Sequence, residues 1–153
     1  MFHKVLIPLD GSKVAEESIE VLRQWLASGQ IREALLVRVD RPTPEAVVDY
    51  VLPAEIVAAS NEKKLDDARR YLDEVSRSID WNGVAHRSLA TLGEPTPTLA
   101  QLAEEEGVDL VLTAVETRRG VHHLLRSSAN RVLRAFSVPV LVLGEPPKAS
   151  AAA

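Results

Sequence analysis

Short apolar runs alternate with longer stretches of helical periodicity along most of the chain. Val5-Leu6-Ile7 is stopped by Pro8 and the turn residues Asp10-Gly11-Ser12, and an unbroken run of this kind suits a strand buried on both faces. Ala15, Ile19, Leu22 and Leu26 then recur at helical spacing until Gly29 closes the segment. Ala34 to Val39 is a second apolar run, ended by Asp40-Arg41-Pro42. The segment from Pro42 to Pro53 is rich in proline and is expected to be irregular. From Ala54 a long helical pattern follows, in which Leu65, Ala68, Leu72, Val75 and Ile79 set one apolar stripe against a core.

Asn82-Gly83 signals a turn, and Val84 to Thr91 reads as a third strand, less apolar than the others and therefore expected at a sheet edge. Thr96 is expected to cap the next helix, with Pro97 at its first position. Leu99, Leu102 and Ala103 form the buried face of that helix, and Gly107 ends it. Asp109-Leu110-Val111-Leu112 is a fourth strand, Ser127 to Phe136 a further helix, and Val138 to Leu143 a fifth strand. One domain over residues 1–145 is expected, followed by a flexible tail over 146–153.

Strands and helices alternating in this way imply right-handed βαβ units: an α/β fold with a single doubly wound parallel sheet and helices on both faces. Such sheets bind ligands beyond the carboxyl ends of their strands, where the winding reverses. That rule singles out the loops after the first and fourth strands, Leu9 to Lys13 and Thr113 to Ser128.

Composition narrows the chemistry. The chain of 153 residues is 46% hydrophobic and 26% charged, as befits a globular domain. It has no cysteine, which excludes disulfides, thiolate metal sites and a cysteine nucleophile. A net charge of -4 argues against general nucleic-acid binding. No apolar stretch is long enough for a signal-peptide core or a membrane span, so a cytoplasmic location without membrane attachment is expected.

In the first loop, Asp10 at a strand end can accept hydrogen bonds from a ribose or a base edge; the plainer alternative is that Asp10 or Ser12 caps the following helix. The second loop carries Arg118, Arg119 and Arg126, His122 and His123, and Ser127 and Ser128 where a helix is expected to begin. Arginines beside a helix start suit a phosphate, and a solvated basic loop is the alternative. Adjacent histidines cannot both face one metal from a helix, and no metal site is expected. Ser127 and Ser128 lack the surroundings of a nucleophile, so no catalytic residue is assigned. Glu104-Glu105-Glu106 reads as a solvated surface, and Trp25 and Trp81 as half-buried.

Several of these segments, taken in order, resemble the universal stress protein family. Lys4-Val5-Leu6-Ile7-Pro8-Leu9-Asp10-Gly11-Ser12 is similar to the family's first strand and Asp-Gly-Ser turn, and Gly93-Glu94-Pro95 to its Gly-x-Pro. Asp109-Leu110-Val111-Leu112, Arg131-Val132-Leu133-Arg134 and Val138-Pro139-Val140-Leu141-Val142 are similar to its fourth strand and its ending. The resemblance implies a five-stranded sheet of order 3-2-1-4-5, adenine nucleotide alpha hydrolase-like, and a homodimer paired through the last strand, Val138 to Leu143. It also implies ATP or AMP as ligand, with magnesium only if ATP binds. The implied contacts are the turn Leu9, Asp10 and Gly11, the backbone of Val39, and the second loop.

The family's nucleotide motif, Gly-x2-Gly-x9-Gly followed by Ser or Thr, falls on Ala114, Thr117, Ser127 and Ser128. Its spacing is kept and all three glycines are replaced; after Ser128 the chain is one residue shorter than the family's pattern. Glycine allows positive φ and close approach of N–H groups to phosphate, which a β-branched Thr117 resists. Arg118 and Arg119 are candidates to supply the missing charge. Three functions follow: a stress-response module that binds adenine nucleotide and passes that state to a partner; a dimeric interaction protein of the same fold without nucleotide; and, less favoured because no P-loop or second acid is present, a weak ATPase or self-phosphorylating protein.

Overall fold

A computed structural model describes residues 1–115 and 133–144. β1 (Phe2–Pro8) leads into α1 (Lys13–Ala27) and β2 (Ile31–Asp40). A short hairpin of β3 (Ala46–Val47) and β4 (Tyr50–Val51) precedes α2 (Ala54–Arg77) and β5 (Ala85–Leu92). α3 (Pro95–Glu105), β6 (Leu110–Val115) and β7 (Val140–Gly144) follow.

The main sheet has the order β5-β2-β1-β6-β7 and its pairings are parallel. With the hairpin set aside, this is the expected order 3-2-1-4-5. Two apolar clusters lie on opposite faces, as side-chain alternation along a strand requires. Val5, Ile7, Ala34, Leu36, Leu110 and Leu112 face α1 and α2, where Ile19, Leu22, Leu26 and Leu72 close the layer. Leu6, Leu35, Val37 and Val111 face the other way, onto Ala103, Leu99 and Leu102 of α3. Full burial of each such leucine is worth roughly 1.5–3 kcal/mol, so the central strands carry most of the cohesion. β5 lies at one edge, as its lower apolar content predicts, with Ala85, His86 and Arg87 exposed.

Two local expectations are corrected. The segment Pro42 to Pro53 is not wholly irregular: Ala46 pairs with Val51 and Val47 with Tyr50, and the turn closes on Asp49 at φ 59. A short polar side chain tolerates that left-handed conformation, which proline-rich composition did not reveal. α3 begins earlier than expected, with Glu94 at the cap and Pro95 at the first position; neither Thr96 nor any other side chain caps it. Pro95 already supplies the preset φ and needs no N–H partner there, so the helix starts at the first of its two prolines.

At the amino-terminal end of the sheet Lys4 is held between two acids. Its Nζ stands 3.1 Å from Glu33 Oε1 and 3.1 Å from Glu106 Oε2, and Arg87 also pairs with Glu106. Burial alone would lower the Lys4 pKa, but the hydrogen bonds and charges of Glu106 and Glu33 outweigh it and hold the ammonium above its ordinary value. Of the three expected solvated acids, Glu106 is therefore part of an ion-pair network joining β1, β2, β5 and the end of α3. Among the described residues no helix is long and apolar enough to cross a membrane.

Candidate functional site

β1 stops at Pro8 and the chain reverses into α1 through Leu9, Asp10, Gly11 and Ser12. Gly11 has φ +85, a left-handed conformation that disfavours any side chain. Asp10 is exposed and its Oδ1 accepts the Ser12 N–H at 2.9 Å, while Ser12 Oγ accepts the Ala15 N–H at 3.1 Å. The plainer sequence reading is thus correct as far as it goes: Asp10 braces the turn and Ser12 caps α1. The Leu9 side chain is 2% exposed in the α1-side core, and its N–H donates to the Val37 carbonyl at 2.8 Å.

The sheet register decides which other residues meet this turn. Pro8 is paired with Val37, and Leu6 with Val111. Continuing the β2 ladder by one and two steps sets Leu9 level with Arg38 and Asp10 level with Val39, and continuing the β6 ladder by three steps sets Leu9 level with Ala114. Leu9 with Ala114, and one step further Asp10 with Val39, therefore lie in two successive rows at the carboxyl edge, at the point between β1 and β6 where the winding reverses. Val39 is 9% exposed and packs into the α3-side core, which leaves its backbone as the group available at the edge. Ala114 is half-buried, pairs with Leu143, and has ordinary strand dihedrals without positive φ. Glycine is not needed at position 114 for the backbone to take this path. Thr117, Arg118, Arg119, Ser127 and Ser128, with His122 and His123, lie outside the described residues.

Side chains from β2 and α2 complete the cleft. Arg38 Nε donates to Asp40 Oδ2 at 3.0 Å, and the guanidinium carbon stands 5.1 Å from the centroid of the Tyr71 ring. The Tyr71 hydroxyl donates to Glu16 Oε1 at 3.0 Å. Burial first, then the hydrogen bond to Glu16 and the charges of Glu16 and Asp10, push the Tyr71 hydroxyl well above the usual phenol range. It is a hydrogen-bond donor at any ordinary pH. Beyond Val39 an open groove of about 490 Å³ is lined by Arg38, Asp40, Arg41, Lys64, Asp67 and Pro95. Arg41 makes a two-pronged contact with Glu94, at 3.1 and 2.6 Å, and so joins the end of β2 to the start of α3. Among the described residues no group of three or more histidine or acidic side chains is placed to hold a metal ion.

Arg38, Asp40 and Tyr71 were not picked out by sequence reading. The signal was present: polar residues at alternate positions at the carboxyl end of an otherwise buried strand have no reason to be there unless they face a cleft. Tyr71, by contrast, sits in a polar stretch of α2 and gives no such sign.

Comparison with known proteins gives one family. The sequence model of the universal stress protein family matches residues 1–144. The universal stress protein YxiE of Bacillus subtilis is 26% identical over 152 residues, 94% of this chain and 99% of that protein. Among solved structures, the protein MJ0577 of Methanocaldococcus jannaschii is 21% identical, covers 95% of this chain and 98% of its own, and superposes with a TM-score of 0.73. A universal stress protein solved in complex with cAMP is 20% identical, covers 93% and 97%, and has a TM-score of 0.66.

Proposed function

This chain belongs to the universal stress protein family, and from that premise we propose that it is a stress-response module which binds ATP or AMP in the cleft after β1 and β6. The observation that carries this reading is the placement of Leu9, Asp10, Val39 and Ala114 in two successive rows at the winding reversal of the sheet. Asp10 is exposed there, and its carboxylate is suited to accept from ribose hydroxyls or an adenine amino group. The backbone of Val39 offers a base-edge contact beside it. A relative of the same fold that holds an adenine nucleotide, cAMP, adds support. Phosphates fall to Thr117, Arg118, Arg119, Ser127 and Ser128, with Arg118 and Arg119 supplying the charge that glycine N–H groups supply elsewhere. With ATP, magnesium accompanies the triphosphate; AMP needs none. The protein acts in the cytoplasm as a homodimer joined along β7.

Calorimetric titration with ATP, AMP and inorganic phosphate tests this, using wild-type protein, Asp10→Ala and Asp10→Asn. Asparagine keeps an acceptor for the Ser12 N–H and removes only the charge, which separates ligand contact from turn geometry. Micromolar binding that weakens sharply in both variants supports adenosine at Asp10. No heat from either nucleotide up to millimolar concentration sinks the reading.

The second reading is a dimeric interaction protein without nucleotide. What favours it is the replacement of all three motif glycines by Ala114, Thr117 and Ser127. The ordinary strand geometry of Ala114 answers the part of that objection that concerns positive φ at this position.

A further inference from the structure

The side chain of Arg38 fills the space that glycine leaves open at position 11. A Cβ added to Gly11 would stand 3.2 Å from one terminal guanidinium nitrogen of Arg38 and 3.8 Å from the guanidinium carbon. Arg38 arrives there because β2 alternation turns it, with Leu36 and Asp40, toward the α1 and α2 side of the sheet. It is held from two directions, by Asp40 Oδ2 on Nε and by the face of Tyr71. Tyr71 is fixed in turn by its hydrogen bond to Glu16. β2, α2 and α1 are thus chained across the turn.

A glycine after a strand end serves a ligand because the missing Cβ permits close approach to the backbone. Here the chain's own arginine occupies that approach, and a ligand on the same face of Gly11 cannot share it. We propose that Arg38 is an intramolecular strap, closed over the Asp10–Gly11 turn in the free protein and displaced by the ligand, a role that rests on the adenine-nucleotide reading above. Neither clamp is strong. One partly exposed ion pair and one cation–π contact together favour the closed position by a factor of about ten. Apparent affinity scales with the open fraction, so a strapless protein binds tighter by about that factor. Because the competition is at the backbone of Gly11 and not at the phosphates, adenosine and AMP gain alike.

The test is calorimetry with AMP and with adenosine on wild-type, Arg38→Ala and Arg38→Lys proteins, each first shown to melt cooperatively. Lysine keeps the positive charge but has neither the flat face that stacks on Tyr71 nor the Nε that meets Asp40. Tightening of about tenfold for both ligands in both variants is the expected result; binding by the variants alone also supports a strap. Should Arg38→Ala fail to fold, the lysine variant decides. Wild-type binding that is unchanged or weaker in the variants overturns the strap and leaves nucleotide binding intact. Tightening in alanine but not in lysine makes charge responsible and overturns it as well. If none of the three proteins binds, the nucleotide reading fails and takes the strap with it.

Discussion

Thr98 Oγ1 occupies the space that a Cβ on Gly93 would need. The turn from β5 into α3 is therefore closed by contact between a backbone without a side chain and a hydroxyl one helical turn ahead. The Gly93 N–H also donates to the Asp40 carbonyl at 3.0 Å, which ties this turn to the end of β2 and hence to the cleft. Gly93→Ala is expected to cost about 1–3 kcal/mol, as overpacking does. Thr98→Ala in the same chain should recover part of that loss, a coupling of about 0.5–3 kcal/mol. Urea unfolding of the two single variants and the double variant measures it; strict additivity would show that the hydroxyl is not the obstacle.

Gly11→Ala meets two costs of different origin. The backbone at φ +85 resists a side chain, and the new methyl group would press on the Arg38 guanidinium. A loss of about 1–2 kcal/mol is expected from the backbone alone. Adding Arg38→Ala should remove the crowding and leave the backbone strain, so the loss shrinks without vanishing. Thermal melts of the four proteins in the cycle separate the two.

Acid sensitivity is expected to centre on Asp109. Burial by itself would raise its pKa, but the His3 and Lys4 N–H groups, both at 2.7 Å, reverse that and hold the carboxyl below its ordinary value. A depressed carboxylate stabilises the fold above its unfolded value, about 4, and loses that contribution as pH falls through the folded value. Glu106 acts in the same sense, chiefly through its hydrogen bond from Lys4. Lys4 acts in the opposite one: its raised value stabilises below the ordinary lysine range and is lost as pH rises beyond it. Asp109→Asn should cost about 1–3 kcal/mol at pH 7. The gap to wild type should close below about pH 4. Melting curves between pH 2 and 8 follow the two proteins; a gap independent of pH would assign the effect to shape alone.

Leu141 of β7 is 40% exposed on the last strand of the sheet. If the proposed dimer forms along this strand, Leu141→Glu places a charge in its apolar contact. Sedimentation should then show a shift toward monomer with unchanged circular dichroism. A dimer that persists in the variant lies elsewhere on the surface.

Much of the fold was legible because its signals are local. Val5-Leu6-Ile7 and Leu110-Val111-Leu112 are too short and too evenly apolar for surface strands, and both strands, like β2, have neighbours on both sides. Val84 to Thr91 is more polar, and it is an edge. The start of α3 is displaced from expectation because Pro95 and Pro97 are both acceptable in a first turn, and the helix begins at the first of them. The hairpin at Ala46 to Val51 depends on one left-handed aspartate among prolines, which no periodicity reports. For the site, the Asp10-Gly11-Ser12 turn could be read directly, whereas Arg38 and Tyr71 could not be joined to it.

By itself the sequence determined the strands of the main sheet and the helices α1 and α2, which of their faces are buried, and most of the turns between them. Those properties follow from the two-residue and 3.6-residue periods and from glycine and proline stops, and each acts within a few residues. The tertiary structure alone decided what stands opposite. Lys4 meets Glu33 and Glu106, Asp109 accepts the N–H groups of His3 and Lys4, and Arg38 crosses to Gly11 under the ring of Tyr71. An alternating pattern states that a side chain points up or down from a sheet, but its neighbour there is set by strand order and register, which depend on the packing of the whole chain.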